Sequence, residues 1–296
     1  MKTACMGLAA LSLAGAAAAQ TPEEPSRPWF LSGSLSASQA ADGEDVAVSA
    51  GSISLERSFD GAWAGASIGA SQGEAAPPPL LALTVADQSS LQTAAWVGAV
   101  VGAYDVTVSV GYGRQSLDGD AAVASGSAPA VLAGARFGFD AEVTAASIGL
   151  SVSRSFGDTW SFTPAFGVRY DSSESEISAR LQTPGAAPVQ IESTAEGTTG
   201  SLGVTVSGPV NDQLTVSFGA AGYATDNGAA QTFQFGRFDG ARPFQPEQEG
   251  SAQWGELSAG LSWPLSGRVS FSATAGTTVG RDADTAFGAF SLGMRF

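Results

Sequence analysis

From Trp29 onward, polar and apolar residues alternate along most of the chain, the two-residue period of a β-strand with one apolar and one polar face. Val106, Val108, Val110 and Tyr112 face away from Thr107, Ser109, Gly111 and Gly113, and Phe162, Phe166, Val168 and Tyr170 away from Ser161, Thr163, Gly167 and Arg169. Further strands are predicted at Trp29 to Leu35, Val46 to Phe59, Ala62 to Gln72, Gln92 to Gly102, Phe137 to Arg154, Thr194 to Ser207, Gln213 to Thr225, Ala252 to Trp263 and Arg268 to Gly280. The last stretch, Phe287 to Phe296, ends the chain inside a strand: Phe290, Leu292, Met294 and Phe296 alternate with Ala289, Ser291, Gly293 and Arg295. The phase of the alternation changes between Ala50 and Ile53 and again near Ser147, which predicts a bulge at each place.

The connections follow a second rhythm. Asp60-Gly61, Ala103 to Asp105, Gly157-Asp158, Pro209 to Asp212 and Leu265 to Gly267 are short and rich in the residues tight hairpins need. Between them fall longer segments, Gln72 to Leu91, Leu117 to Arg136, Asp171 to Glu196 and Asp226 to Gly250. Alternating short turns and long loops, with an even strand count of about twelve, describe an antiparallel up-and-down transmembrane β-barrel whose two termini share one side, the periplasmic one. Trp29, Phe30, Phe59, Trp63, Tyr104, Phe156, Trp160, Trp263 and Phe296 all lie beside short turns or at the termini, and are expected to form an aromatic girdle at that end. Of the 28 acidic residues, 18 fall in these longer segments or in Ala40 to Asp45 and Arg281 to Thr285; an acidic outer rim holds divalent cations shared with lipopolysaccharide, or simply keeps long loops solvated.

Composition agrees with this class and narrows it. Lys2, the apolar stretch from Ala4 to Ala16 and Ala17 to Ala19 have the form of a cleavable signal peptide over residues 1–19. A proline-bearing leader is expected over 20–28 and a single barrel domain over 29–296. No apolar run reaches the length of a spanning helix. The net charge of −15 argues against nucleic acid as a partner. The one cysteine, Cys5, precedes the expected cleavage site and the chain has no histidine. Thiol chemistry, the familiar zinc sites and a histidine general base are therefore missing from the expected mature chain. The chain is read as no enzyme, with no catalytic, metal or cofactor-binding residue and no cofactor.

Two segments, WSFTPAFGVRY from Trp160 to Tyr170 and LSAGLSWPLSGRVSF from Leu257 to Phe271, together with the terminal strand, resemble the C-terminal translocator barrel of autotransporters. The resemblance covers about Ser155 to Phe296 best. It implies a twelve-stranded barrel in the bacterial outer membrane. The terminal alternation of Phe290, Leu292, Met294 and Phe296 likewise resembles the assembly signal of outer-membrane barrels, which implies the barrel-assembly machinery as a partner, beside outer-membrane lipids and lipopolysaccharide. Only a short proline-bearing stretch separates the expected cleavage site from Trp29, so the expectation is a barrel that stands alone without a passenger, as a structural or channel protein. A general diffusion porin, and a surface-interaction protein acting through its long loops, are the alternatives.

Parity places Glu56, Glu142, Arg169, Glu256 and Arg295 on the lumenal side, because an outward charge at mid-membrane is costly. Two roles are open to them: a charged constriction that selects solutes, or ion pairs and hydrogen bonds that brace the wall. Most other inward positions are Gly, Ala, Ser and Thr, which predicts a water-filled interior.

Overall fold

A computed structural model describes residues 29–40, 47–75, 81–83, 86–123, 136–182, 189–226, 252–279 and 285–296. The expected signal peptide and leader, and the middles of several long loops, lie outside the described residues. The elements are β1 (Trp29–Ala40), β2 (Ala47–Phe59), β3 (Ala62–Ala75), β4 (Leu81–Leu83), β5 (Ala86–Val101), β6 (Tyr104–Val123), β7 (Arg136–Ser153), β8 (Ser161–Leu181), β9 (Val189–Asn211), β10 (Leu214–Asp226), β11 (Ala252–Pro264), β12 (Val269–Val279) and β13 (Thr285–Arg295). All except β4 are staves of one closed antiparallel barrel of twelve strands; β4 is a short ribbon on the end of β6. No described residue is helical.

Each stave pairs with its neighbours in sequence, and β1 with β13 closes the ring. At the seam the Phe296 N–H donates to the Trp29 carbonyl at 3.1 Å and the Trp29 N–H to the Phe296 carbonyl at 3.4 Å. Closure removes both sheet edges, so every stave finds backbone partners within the protein, as hydrocarbon surroundings require. Gly61 and Gly102, at φ +67° and +66°, take left-handed turn positions in two of the tight connections. These turns and the two ends of the barrel mark the turn end; the long segments mark the loop end.

The outer face is apolar across the barrel, with Leu35, Ile53, Leu91, Val110, Ile148, Phe166, Leu202, Phe218, Leu257 and Phe290 exposed. At its turn-end margin Trp29, Phe59, Tyr104, Phe156, Trp160, Trp263 and Phe296 form the girdle. The Arg57 guanidinium lies 5.3 Å from the Trp29 ring centre and 5.0 Å from that of Phe59, and Arg154 lies 4.6 Å from that of Phe156. Cations stacked on rings at a membrane margin keep their charge near water while the stems stay in the apolar layer. Trp63 and Phe30, expected in the girdle, instead face the lumen. Trp63 is buried against Gly98, and Phe30 sits against Gly293. Their positions in sequence beside turns place them at the right height, but alternation turns them inward.

Two bulges expected from the phase changes are absent: β2 and β7 pair with both neighbours in unbroken register. The irregularity lies instead at Leu214/Thr215, between β9 and β10. The long segments are also more regular than their composition suggests. Much of Asp171 to Glu196 is strand, because β8 and β9 run on to Leu181 and from Val189, and β6 with β7 does the same. The four form a wall that rises beyond the apolar band, where the outer face turns polar and so resembles a loop in sequence.

Candidate functional site: the barrel lumen

The lumen face is built from small residues joined across strands. Ser32 and Ser54, Ser34 and Ser52, Ser71 and Ser90, and Ser161 and Ser207 stand directly opposite one another, with hydroxyl separations of 2.6 to 2.8 Å. Paired hydroxyls satisfy each other within the wall and add to its cohesion.

Larger side chains need room against such a wall, and glycines supply it. Trp63 of β3 faces Gly98 of β5, and Trp96 of β5 faces Gly65 of β3. A Cβ on Gly65 would fall 2.4 Å from the Trp96 ring and one on Gly98 2.1 Å from the Trp63 ring. Because Gly65 lies between Glu56 and Trp96 in register, the indole crosses it and its Nε1–H donates to Glu56 Oε2 at 3.1 Å. Glu56 is thus a buried lumenal carboxylate anchored to an indole two strands away.

The other predicted charges divide. Arg169 faces the lumen and its Nε donates to Asp171 Oδ2 at 2.8 Å, two residues along the same face of β8. Glu256 is buried on the lumen face of β11, beside Trp254. Arg295 has lumenal parity but is exposed at the turn end, where its N–H bonds the Arg268 carbonyl. Glu142 is on the other side. Its neighbour Val143 is buried in the lumen, so Glu142 faces outward and pairs with Arg114 above the apolar band. The expected lumenal position for Glu142 fails because the valine beside it points inward rather than into lipid. The terminal set Phe290, Leu292, Met294 and Phe296 lies exposed on the outer face, with the Phe290 ring 6.2 Å from that of Phe271.

One level of the lumen wall is buried all the way round. At closely matching distances from the turn end, every stave contributes a buried inward residue. Ser38 stands between Val48 and Phe287, Gln115 is opposite Val143, Tyr223 is opposite Trp254, and Ser71, Gln92, Asp171, Thr199 and Thr278 complete the ring. The Tyr223 and Trp254 rings stack at 5.1 Å with planes 20° apart. Toward the turn end burial is mixed: Glu56, Trp63, Trp96, Thr205 and Ser207 are buried, whereas Ser32, Ser67, Ser109, Ser147, Ser258, Ser272 and Ser291 are part-exposed. The ring of buried residues forms a collar on the lumen face of the wall. Gln115, Asp171, Tyr223 and Trp254 escape sequence reasoning as site residues; the only trace of this level is the pair of phase changes at Ala50 and Ser147, where apolar residues switch from one face to the other. Among the described residues no group of His, Cys, Asp and Glu is arranged to hold a metal ion.

A closed twelve-stranded barrel with an apolar exterior and a polar lumen is the architecture of a transmembrane translocator or channel. The autotransporter beta-domain family model matches residues 26–276, and the chain belongs to that family, whose place is the bacterial outer membrane. The fold is similar to the translocator domain of the autotransporter NalP from Neisseria meningitidis, with TM-score 0.67, 14% identity and coverage of 91% of this chain and 88% of that one. It is also similar to the beta domain of the Bordetella autotransporter BrkA, with TM-score 0.62, 17% identity and coverage of 91% and 99%. The Ralstonia pickettii toluene transporter TbuX shares the fold more loosely, at TM-score 0.51, 12% identity and coverage of 91% and 90%. No curated protein matches the sequence. The family and fold are those of translocator and channel barrels.

Proposed function

We propose that this barrel is a channel for small solutes in the outer membrane, with its turn end and both barrel termini in the periplasm. The observation that carries the reading is the contrast of its two faces: an apolar exterior surrounds a lumen lined by paired serines and by the charged groups Glu56, Arg169, Asp171 and Glu256. A barrel with only a scaffold role needs no such interior, and an apolar packed core would stabilise it more simply. The large collar side chains Gln115, Tyr223 and Trp254 favour a narrow passage over a general diffusion pore. Glu56 and Arg169 act in this reading mainly as wall braces, since each already has a partner in the wall. Phe290, Leu292, Met294 and Phe296 are the surface by which the assembly machinery receives the last strand, and membrane lipids cover the same face afterwards.

The test is single-channel recording of the purified protein in planar bilayers. Discrete current steps, small beside those of a wide porin, are expected; a silent bilayer with correctly folded protein would refute the channel.

A further inference from the structure

The outer margin at the turn end carries one arrangement twice. The chain reads Arg57-Ser58-Phe59 at the end of β2 and Arg154-Ser155-Phe156 just after β7, each time entering a turn. Glu56 is buried in the lumen, so Arg57 faces outward, where it stands opposite Trp29 in the β1–β2 register. Its guanidinium lies over two rings, Trp29 on the neighbouring strand and Phe59 two residues along its own. Arg154 repeats the pattern, 5.5 Å from the Tyr104 ring centre and 4.6 Å from that of Phe156. Among the described residues no carboxylate pairs with either cation; the ion pairs of Arg114 and Arg169 lie elsewhere, and Asp60 and Asp158 in the following turns are not within salt-bridge distance.

A cation at a membrane margin without a protein counter-ion draws an anion from its surroundings. Stacking on a ring uses the face of a guanidinium, whereas its five N–H donors lie in the plane and match two oxygens of a phosphate. The apolar surface beside each arginine says what else the ligand carries. Leu55 and Ile53 on β2, and Leu150 and Ile148 on β7, continue from the arginines into the apolar band on the same outward face, and all four are exposed. We infer that Arg57 and Arg154 are two separate docking sites for an anionic phospholipid, each guanidinium holding the headgroup phosphate while the acyl chains lie along the apolar rows. The sites stand four staves apart, so each takes its own lipid. A zwitterionic choline lipid is disfavoured, because the rings that would receive its quaternary ammonium already face a guanidinium. The inference does not depend on conduction; it rests on the periplasmic turn end only for the leaflet that supplies the lipid.

Phosphatidylglycerol and phosphatidylcholine with identical chains are supplied in equal amounts to the purified full-length protein in detergent, and native mass spectrometry counts the lipids retained. Two phosphatidylglycerol molecules are expected, in clear excess over phosphatidylcholine. R57Q and R154Q should each lose one, with affinity at the altered site about fivefold weaker, and the double variant should lose both. R268Q removes a cation from the same end, where Arg268 has no ring contact among the described residues, and should keep both. Heat-modifiable migration shows that each variant is folded. Equal retention of the two lipids by the unaltered protein, a result that needs no variant, overturns the sites, as does an equal loss in R268Q. Displacement of the lipid by inorganic phosphate at the same concentration overturns the part assigned to the acyl chains and with it the lipid. The side of the membrane is read separately, from labelling of S266C in intact cells by an impermeant maleimide. Labelling there overturns the periplasmic turn end and leaves the two sites standing.

Discussion

The outer and inner faces of the same staves obey different rules. On β13, Phe290, Leu292 and Met294 face lipid and need only be apolar, because hydrocarbon adapts to any shape. Between them, Ser291 bonds to Ser272 across the wall, Gly293 makes room for Phe30, and Phe287 is buried in the collar. Exterior positions are constrained by polarity and interior ones by shape and hydrogen bonding. One rule tolerates almost any greasy residue; the other assigns a particular residue to each place.

The largest contrast should come at the end of the chain. Replacing Phe296 with Asp puts a charge on the outer face of the closing strand and is expected to abolish assembly, read as loss of heat-modifiable protein from outer-membrane fractions. Arg295→Ala, one residue away on the other face, should assemble normally; equal yields of the two variants would dissolve the distinction. Within the membrane, Leu257→Arg is expected to destabilise the barrel by about 2–4 kcal/mol in denaturant titrations with lipid vesicles, as for a cation at mid-bilayer. A shape defect in the lumen should be smaller. Gly65→Val forces the Trp96 ring off its bed and breaks its bond to Glu56, at a cost of roughly 1–3 kcal/mol, with a change in tryptophan emission. Gly222→Val on the exterior should change stability least, since a Cβ there meets nothing within 4 Å. If Gly222→Val proved as harmful as Gly65→Val, shape would matter on both faces.

The same asymmetry explains what could be read from the chain alone. Lipid demands apolar residues at every second position, so the strand count, the closing pair and the outward Phe290 to Phe296 set are legible by alternation. The lumen wall has no such uniform demand. Val48 and Val143 are apolar yet point inward because the collar is packed, whereas Ile53 and Ile148 on the same strands point outward. The switch looks in sequence like a bulge, and it carried Glu142 to the wrong face. Trp63 and Trp96 are equally ambiguous, since an aromatic beside a turn suits a girdle as well as a lumen; only the facing Gly98 and Gly65 separate the two, and which glycine faces which tryptophan is a matter of register. Beyond the apolar band the outer face of β8 and β9 is no longer in lipid, and polar residues there read as loop although pairing continues.

The seam between Trp29 and Phe296 also dictates an order of events in time. Every other stave joins a neighbour that is close in sequence, and can do so while part of the chain is still unpaired. The β1–β13 contact brings together the two ends of the barrel sequence, so it has the greatest sequence separation of any pairing and must come after the last strand is available. Until then the growing sheet carries two unpaired edges, which attract other strands and cannot rest in hydrocarbon. The entropic cost of closing so long a loop rises only logarithmically with its length, so the long sequence separation of the seam adds little to the cost of closure. A barrel of this design cannot close until its last stave is available to pair with the first.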